Sequence, residues 1–121
     1  MFSFKNLKQR WAREAMEQSC RADVFKRRLI EKGTPIFRRY NIQKAYLFGS
    51  VAVGRCQENS DIDLYVSELQ VERYWKFRHE LEEAVQLPID LYTDSDDHVF
   101  VQKIVERGEK IYGLQHRTVE S

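Results

Sequence analysis

Two aspartates separated by one aliphatic residue, Asp61-Ile-Asp63, and a third within Pro88-Ile-Asp-Leu-Tyr92 are the side chains of this sequence best suited to hold a divalent cation. Alternate side chains of an extended strand point to opposite faces, so Asp61 and Asp63 share one side while Ile62 and Leu64 share the other. Asp90, between Ile89 and Leu91, follows the same alternation. Magnesium takes one or two carboxylates together with waters and substrate phosphates in an octahedral shell, so a carboxylate pair on a rigid strand suffices, and ATP with magnesium is the matching guest. Three carboxylates can serve two magnesium ions, one activating an attacking hydroxyl and the other steadying the leaving pyrophosphate. Asp61, Asp63 and Asp90 are therefore the expected metal ligands and catalytic residues, with Asp90 assisting the nucleophile.

Gly49-Ser50 stands where an apolar run, Lys44-Ala-Tyr-Leu-Phe48, must turn. Glycine permits close backbone approach, N–H groups at a following helix start favour anions, and the Ser50 hydroxyl adds a donor, so this turn is the expected nucleotide-binding seat. Gly54 and Arg55 are expected to extend it. A second pair, Asp94-Ser-Asp96, lacks flanking aliphatic alternation and sits beside Asp97 at a helix start, where it reads as capping.

The elements that must position these groups follow from periodicity. Leu7, Trp11, Ala15, Ala22, Phe25 and Leu29 recur mostly at three-or-four spacing among basic residues, which predicts a long amphipathic helix stopped at Gly33. Thr34-Pro35 predicts a fresh start of a short helix over Ile36–Tyr40, ended by Asn41. Strands are predicted over Lys44–Phe48, through Ile62, Leu64 and Val66, and from Pro88 to Tyr92. A helix is predicted between Gln70 and Gln86, and a last one from Asp96 to Arg107, capped by Ser95 and stopped by Gly108. The result is an α/β (α+β) fold, a short mixed β-sheet flanked by helices. The expected organisation is a basic amphipathic helical extension over 1–33, one domain over 34–114 and a flexible tail over 115–121.

Leu47-Phe-Gly-Ser50, ten intervening residues and Asp61-Ile-Asp63-Leu64 together resemble the signature of the DNA polymerase beta-like nucleotidyltransferase superfamily. Within it the sequence is most similar to the minimal nucleotidyltransferases that pair with HEPN-domain proteins in prokaryotic toxin–antitoxin modules. The likeness covers about residues 36–113, with Ile89-Asp90-Leu91 supplying the third carboxylate and Lys110-Ile-Tyr-Gly113 closing the pattern; the N-terminal helix is extra to it. It implies the polymerase beta-like fold and transfer of a nucleoside monophosphate, commonly AMP from ATP, to a hydroxyl acceptor, in such modules a tyrosine of the HEPN toxin, which the antitoxin thereby silences. Minimal members often read Gly-Ser-x-Ala-Arg-Gly where this chain reads Gly49-Ser-Val-Ala-Val53-Gly54. Valine cannot bind phosphate; Arg55, Lys103 and Lys110 are the cations available to replace the missing charge. Two other readings stay open: a catalytically weak or inactive binding antitoxin, which Val53 keeps alive, and a small-molecule transferase of the aminoglycoside-modifying type, for which no acceptor-binding segment is evident.

The bulk properties agree with one packed domain: 121 residues, 42% hydrophobic and 12% aromatic, suffice for one core and exclude wholesale disorder. No run approaches the ~18 apolar residues of a membrane span and no signal core opens the sequence, so a cytoplasmic protein without membrane contact is expected. Cys20 and Cys56 have no zinc-ligand spacing, and His79, His98 and His116 share none either, so no function is assigned to them. A net charge of +1 hides a split: residues 1–48 hold 12 Lys/Arg against 4 Asp/Glu, residues 49–100 hold 4 against 12. Such a division predicts two surfaces with different partners. For the basic stripe, packing into the core ranks first, docking to a partner or self-association through Phe4, Trp11 and Phe25 second, and nucleic acid last.

Overall fold

A computed structural model describes residues 4–113. Phe4–Arg39 form helix α1, Lys44–Phe48 strand β1, Gly49–Ala52 a single helical turn α2, Ile62–Val66 β2, Tyr74–Val85 α3 preceded by a 3₁₀ turn over Val71–Arg73, Ile89–Tyr92 β3, His98–Arg107 α4 and Glu109–Gly113 β4. The expected tail at 115–121 and His116 lie outside the described residues.

The four strands make one mixed sheet in the order β3-β2-β1-β4. β1 runs antiparallel to both β2 and β4, while β2 and β3 are parallel and joined through α3, as parallel neighbours require a crossover. The aliphatic halves of the strands, Leu47, Ile62, Leu64, Val66 and Ile89, are fully shielded beneath α1 and α3. Phe37 and Phe77 stack there at 6.2 Å, with the Tyr112 ring of β4 5.3 Å from Phe37. A smaller cluster on the opposite face joins Tyr46 and Tyr65 to Ile104 of α4.

Two boundaries differ from expectation. The predicted break at Gly33 does not exist: α1 is one helix of 36 residues that includes Pro35. Gly33 is buried where α1 meets α3, and a Cβ on it would lie 3.2 Å from Leu81 Cδ1, so its smallness serves packing. Pro35 and Glu31 both face outward, leaving the Glu31 carbonyl that proline cannot serve on the exposed side. Helix α1 ends at Asn41, in the left-handed region at φ 58°, with the Ile42 N–H returning 2.9 Å to the Phe37 carbonyl. The second difference is the cap of α4: Asp97, not Ser95, accepts from the Phe100 N–H, and Asp96 instead accepts from the Thr93 N–H at 2.8 Å. Strand β4, absent from the predicted order, completes the sheet, and the expected turn after β1 takes the form of the helical turn α2.

Packing divides the basic helix in two. Ala22, Phe25 and Leu29 enter the core, whereas residues 8–17 are all exposed, including Trp11 at 54%. The charge split is partly spent inside the chain. Arg39 pairs with Glu80, Lys26 with Glu109 at 2.8 Å and Arg21 with Glu58 at 3.9 Å, each joining the basic N-terminal segment to acidic residues beyond it. No described helix is long and apolar enough to cross a membrane.

Candidate active site

The site forms where β1 hands over to α2 beside the centre of the sheet. Cross-strand register places Phe48 opposite Asp63 and Asp63 beside Asp90, so period-two alternation collects Tyr46, Phe48, Asp63, Tyr65, Asp90 and Tyr92 on one face. This face is not uniformly polar: Tyr46 and Tyr65 are buried under α4, and Phe48, Tyr92 and Phe100 form a triangle of ring contacts with centroids 5.3 to 5.9 Å apart. The aspartates occupy its open end, Asp61 just before β2 and exposed, Asp63 half-buried, Asp90 exposed on edge strand β3.

Gly49 sits directly against Asp63. It adopts φ +78°, which side chains rarely tolerate, and a Cβ there would lie 2.0 Å from Asp63 Oδ2. Glycine is required on both counts, by conformation and by space. Burial first, then the charges of Asp90 and Asp61, push the Asp63 carboxyl up to about 6. Both neighbouring carboxylates therefore act on Asp63, and repulsion of this kind is what a bound cation relieves. Among the described residues no three His, Cys, Asp or Glu side chains form a ready-made metal cage. Magnesium carried by a nucleotide keeps several waters and phosphate oxygens in its shell and asks the protein for one or two carboxylates. The donor set, hard carboxylate oxygens packed against the Gly49 backbone, fits such an ion.

The Tyr92 hydroxyl donates to Asp90 Oδ2 at 3.2 Å and orients that carboxylate. Tyr92 is raised by burial and then by the charge of Asp90, which keeps its hydroxyl protonated as a donor. Sequence reasoning missed Tyr92, although it lies one strand period beyond Asp90.

The remaining nucleotide-seat residues divide. Ser50 is half-buried in α2 and its carbonyl accepts from the Arg55 N–H at 2.8 Å. Gly49 lines a cleft of about 270 Å³ whose other walls are Phe48, Ala52, Val53, Phe100 and Lys103, closed by Ile104, Arg107 and Gly108. Gly54 and Arg55 do not line it: Gly54, at φ +78°, faces α1, where a Cβ would come 3.8 Å from Ser19 Oγ. The loop beyond them is fastened by Arg21, which donates to the Cys56 carbonyl at 3.0 Å, and by the buried Cys56 side chain. Asp94 accepts from the Tyr65 hydroxyl and from the Glu68 N–H at 2.9 Å, so the second Asp-x-Asp pair organises a turn.

The family model for polymerase beta nucleotidyltransferases matches residues 31–117. No curated protein matches the sequence. Among solved structures, the chain is similar to one in a toxin–antitoxin crystal structure with AMP-PNP, at 30% identity and a TM-score of 0.62 over 71% of this chain and 74% of that one. It is also similar to one in the MntA-HepT toxin–antitoxin crystal structure, at 27% identity and a TM-score of 0.55 over 71% of each chain. A third similarity is to a structure of tri-AMPylated Shewanella oneidensis HEPN toxin in complex with MNT antitoxin, at 25% identity and a TM-score of 0.55 over 74% of this chain and 73% of that one.

Proposed function

Because the chain belongs to the polymerase beta nucleotidyltransferase family, we propose that it transfers AMP from ATP to a hydroxyl, a tyrosine of a HEPN-domain toxin, and acts as that toxin's antitoxin. The observation that carries this reading is the contact between Gly49 and Asp63, with Asp90 in register beside it. A phosphate chain lying on the Gly49 backbone meets the carboxylates without an intervening side chain. The similar structures, one with AMP-PNP and one with an AMPylated toxin, support the nucleotide and the acceptor class.

In the reaction the acceptor oxygen forms a bond to the α-phosphorus, the bond from that phosphorus to the bridging oxygen breaks, and pyrophosphate leaves with the electron pair. Asp90 takes the hydroxyl proton; Tyr92 occupies its Oδ2 and leaves Oδ1 for this role. Asp61 and Asp63 would hold the magnesium, and the Gly49 and Ser50 backbone the phosphates. Magnesium, two ions when fully loaded, supplies charge neutralisation at the phosphates and lowers the pKa of the attacking hydroxyl. The acceptor comes from another molecule. The exposed first half of α1, with Trp11, is the proposed partner-facing part of the 1–33 extension.

The test is to incubate the chain with magnesium, labelled ATP and the product of the neighbouring reading frame, the expected HEPN-domain toxin. Label is expected on a toxin tyrosine, and replacing both Asp61 and Asp63 with asparagine should abolish it while leaving the complex intact. Absence of label with all four nucleoside triphosphates, alongside tight complex formation, overturns the enzymatic reading in favour of a binding antitoxin. The observation on that side is Val53, 67% exposed and uncharged in the wall of the cleft.

A further inference from the structure

The cleft that opens from Gly49 has an apolar floor, Phe48, Ala52, Val53, Phe100 and Ile104, and two cations at its margin, Lys103 and Arg107. These two lie four residues apart on α4 and so share one helix face, and both are exposed. Neither makes an ion pair with any described residue, although the chain pairs Arg21, Lys26, Arg39 and Arg78 with acids. The negative end of the helix favours a cation at Arg107, in the last turn, but gives no reason for Lys103 one turn earlier. The two further cations that the sequence offered in place of a charge at Val53 are directed elsewhere. Arg55 lies outside the cleft, and Lys110 bends over its own strand, where a Cβ on Gly113 would meet its Nζ at 2.8 Å.

We infer that Lys103 and Arg107 bind the terminal phosphates of the nucleoside triphosphate whose α-phosphate lies at Gly49. This rests on the nucleotide reading given above and adds the residues that discriminate a triphosphate from a monophosphate. Charge supplies the reason. The cleft adjoining Gly49 carries Lys103 and Arg107 without an acidic side chain in its lining, so the negative charge that a polyphosphate tail keeps beyond its magnesium is drawn along it. The apolar floor beneath the two cations lowers the local dielectric and strengthens their attraction for phosphate compared with an open surface. α4 thereby joins the nucleotide site from a segment more than forty residues downstream of the Gly-Ser turn.

The test is calorimetric titration of the full chain with AMP-PNP and with AMP, each with magnesium. Lys103→Ala and Arg107→Ala are each expected to weaken AMP-PNP binding by about tenfold to a hundredfold, the effect of losing a hydrogen bond to a charged group, and to leave AMP binding within about twofold. Val53→Arg, which presents a guanidinium to the same cleft, is expected to restore AMP-PNP binding to Lys103→Ala. Melting temperatures of these surface variants serve as the control for folding. Unchanged AMP-PNP affinity in both alanine variants, or equal loss for AMP and AMP-PNP, overturns the inference while the wild-type chain still binds nucleotide. Failure of the wild-type chain to bind AMP-PNP overturns the nucleotide reading and this inference together.

Discussion

The two faces of the sheet are built from the same four strands and serve opposite ends. Beneath α1 and α3 the inward positions of β1, β2 and β3 are aliphatic and buried, with Ile62, Leu64 and Val66 fully shielded. On the other face α4 buries Tyr46 and Tyr65 and sets Phe100 against Phe48 and Tyr92, while the strand ends nearest Gly49 carry Asp63 and Asp90 in register. One face supplies the burial that stabilises the chain, and this in turn holds in place carboxylates that repel one another. The comparison teaches that the catalytic geometry depends on stability generated on the far side of the strands that display it.

Breaking the dry face should have the largest effect. Phe37→Ala removes a fully buried ring that contacts Phe77 and Tyr112, and denaturant titration is expected to show a loss of about 3–5 kcal/mol. Transfer activity should fall only as the folded fraction falls. At the junction of the faces, Gly49→Ala places a Cβ at φ +78° against Asp63. A loss of about 1–3 kcal/mol is expected, with transfer impaired even where the chain is fully folded; normal transfer in this variant would show that the contact is dispensable. The smallest effect has the opposite sign. The Asp63 carboxyl, pushed up to about 6 in the fold, lies above its ordinary value of 3.8, so the native chain binds this proton more tightly than the unfolded chain. Its contribution is present at low pH and is lost as pH rises from about 4 to about 6, after which the ionised group is a net cost. Asp63→Asn should therefore raise the melting temperature of the ligand-free chain more at about pH 7.5 than at about pH 4, while abolishing transfer. A larger gain at the acidic end would mean that the carboxylates are stabilised by the fold.

Much of this contrast was legible in local residues. Alternation around Asp61, Asp63 and Asp90, together with the Gly49-Ser50 turn, marked both the strands and the chemistry, because strand periodicity is a property of consecutive residues. The charge split was legible too, but its meaning was not: pairs such as Lys26–Glu109 exist only after chain reversal brings the ends together. Gly33 and Pro35 were misleading for a related reason. Their intrinsic preferences favour a break, and packing of α1 against Leu81 outweighs them. Short-range pattern carried β1, β2 and β3, their two-sided character and the carboxylates of the site, but not β4. Docking of the helices on the sheet settled that Gly49 lies on Asp63, that Tyr92 holds Asp90, that Gly54 turns toward α1 while Arg55 stays outside the cleft, and that Lys103 and Arg107 both line it. Each of these is a contact between segments whose separation along the chain carries no periodic signal, so it is set by how the helices dock on the sheet.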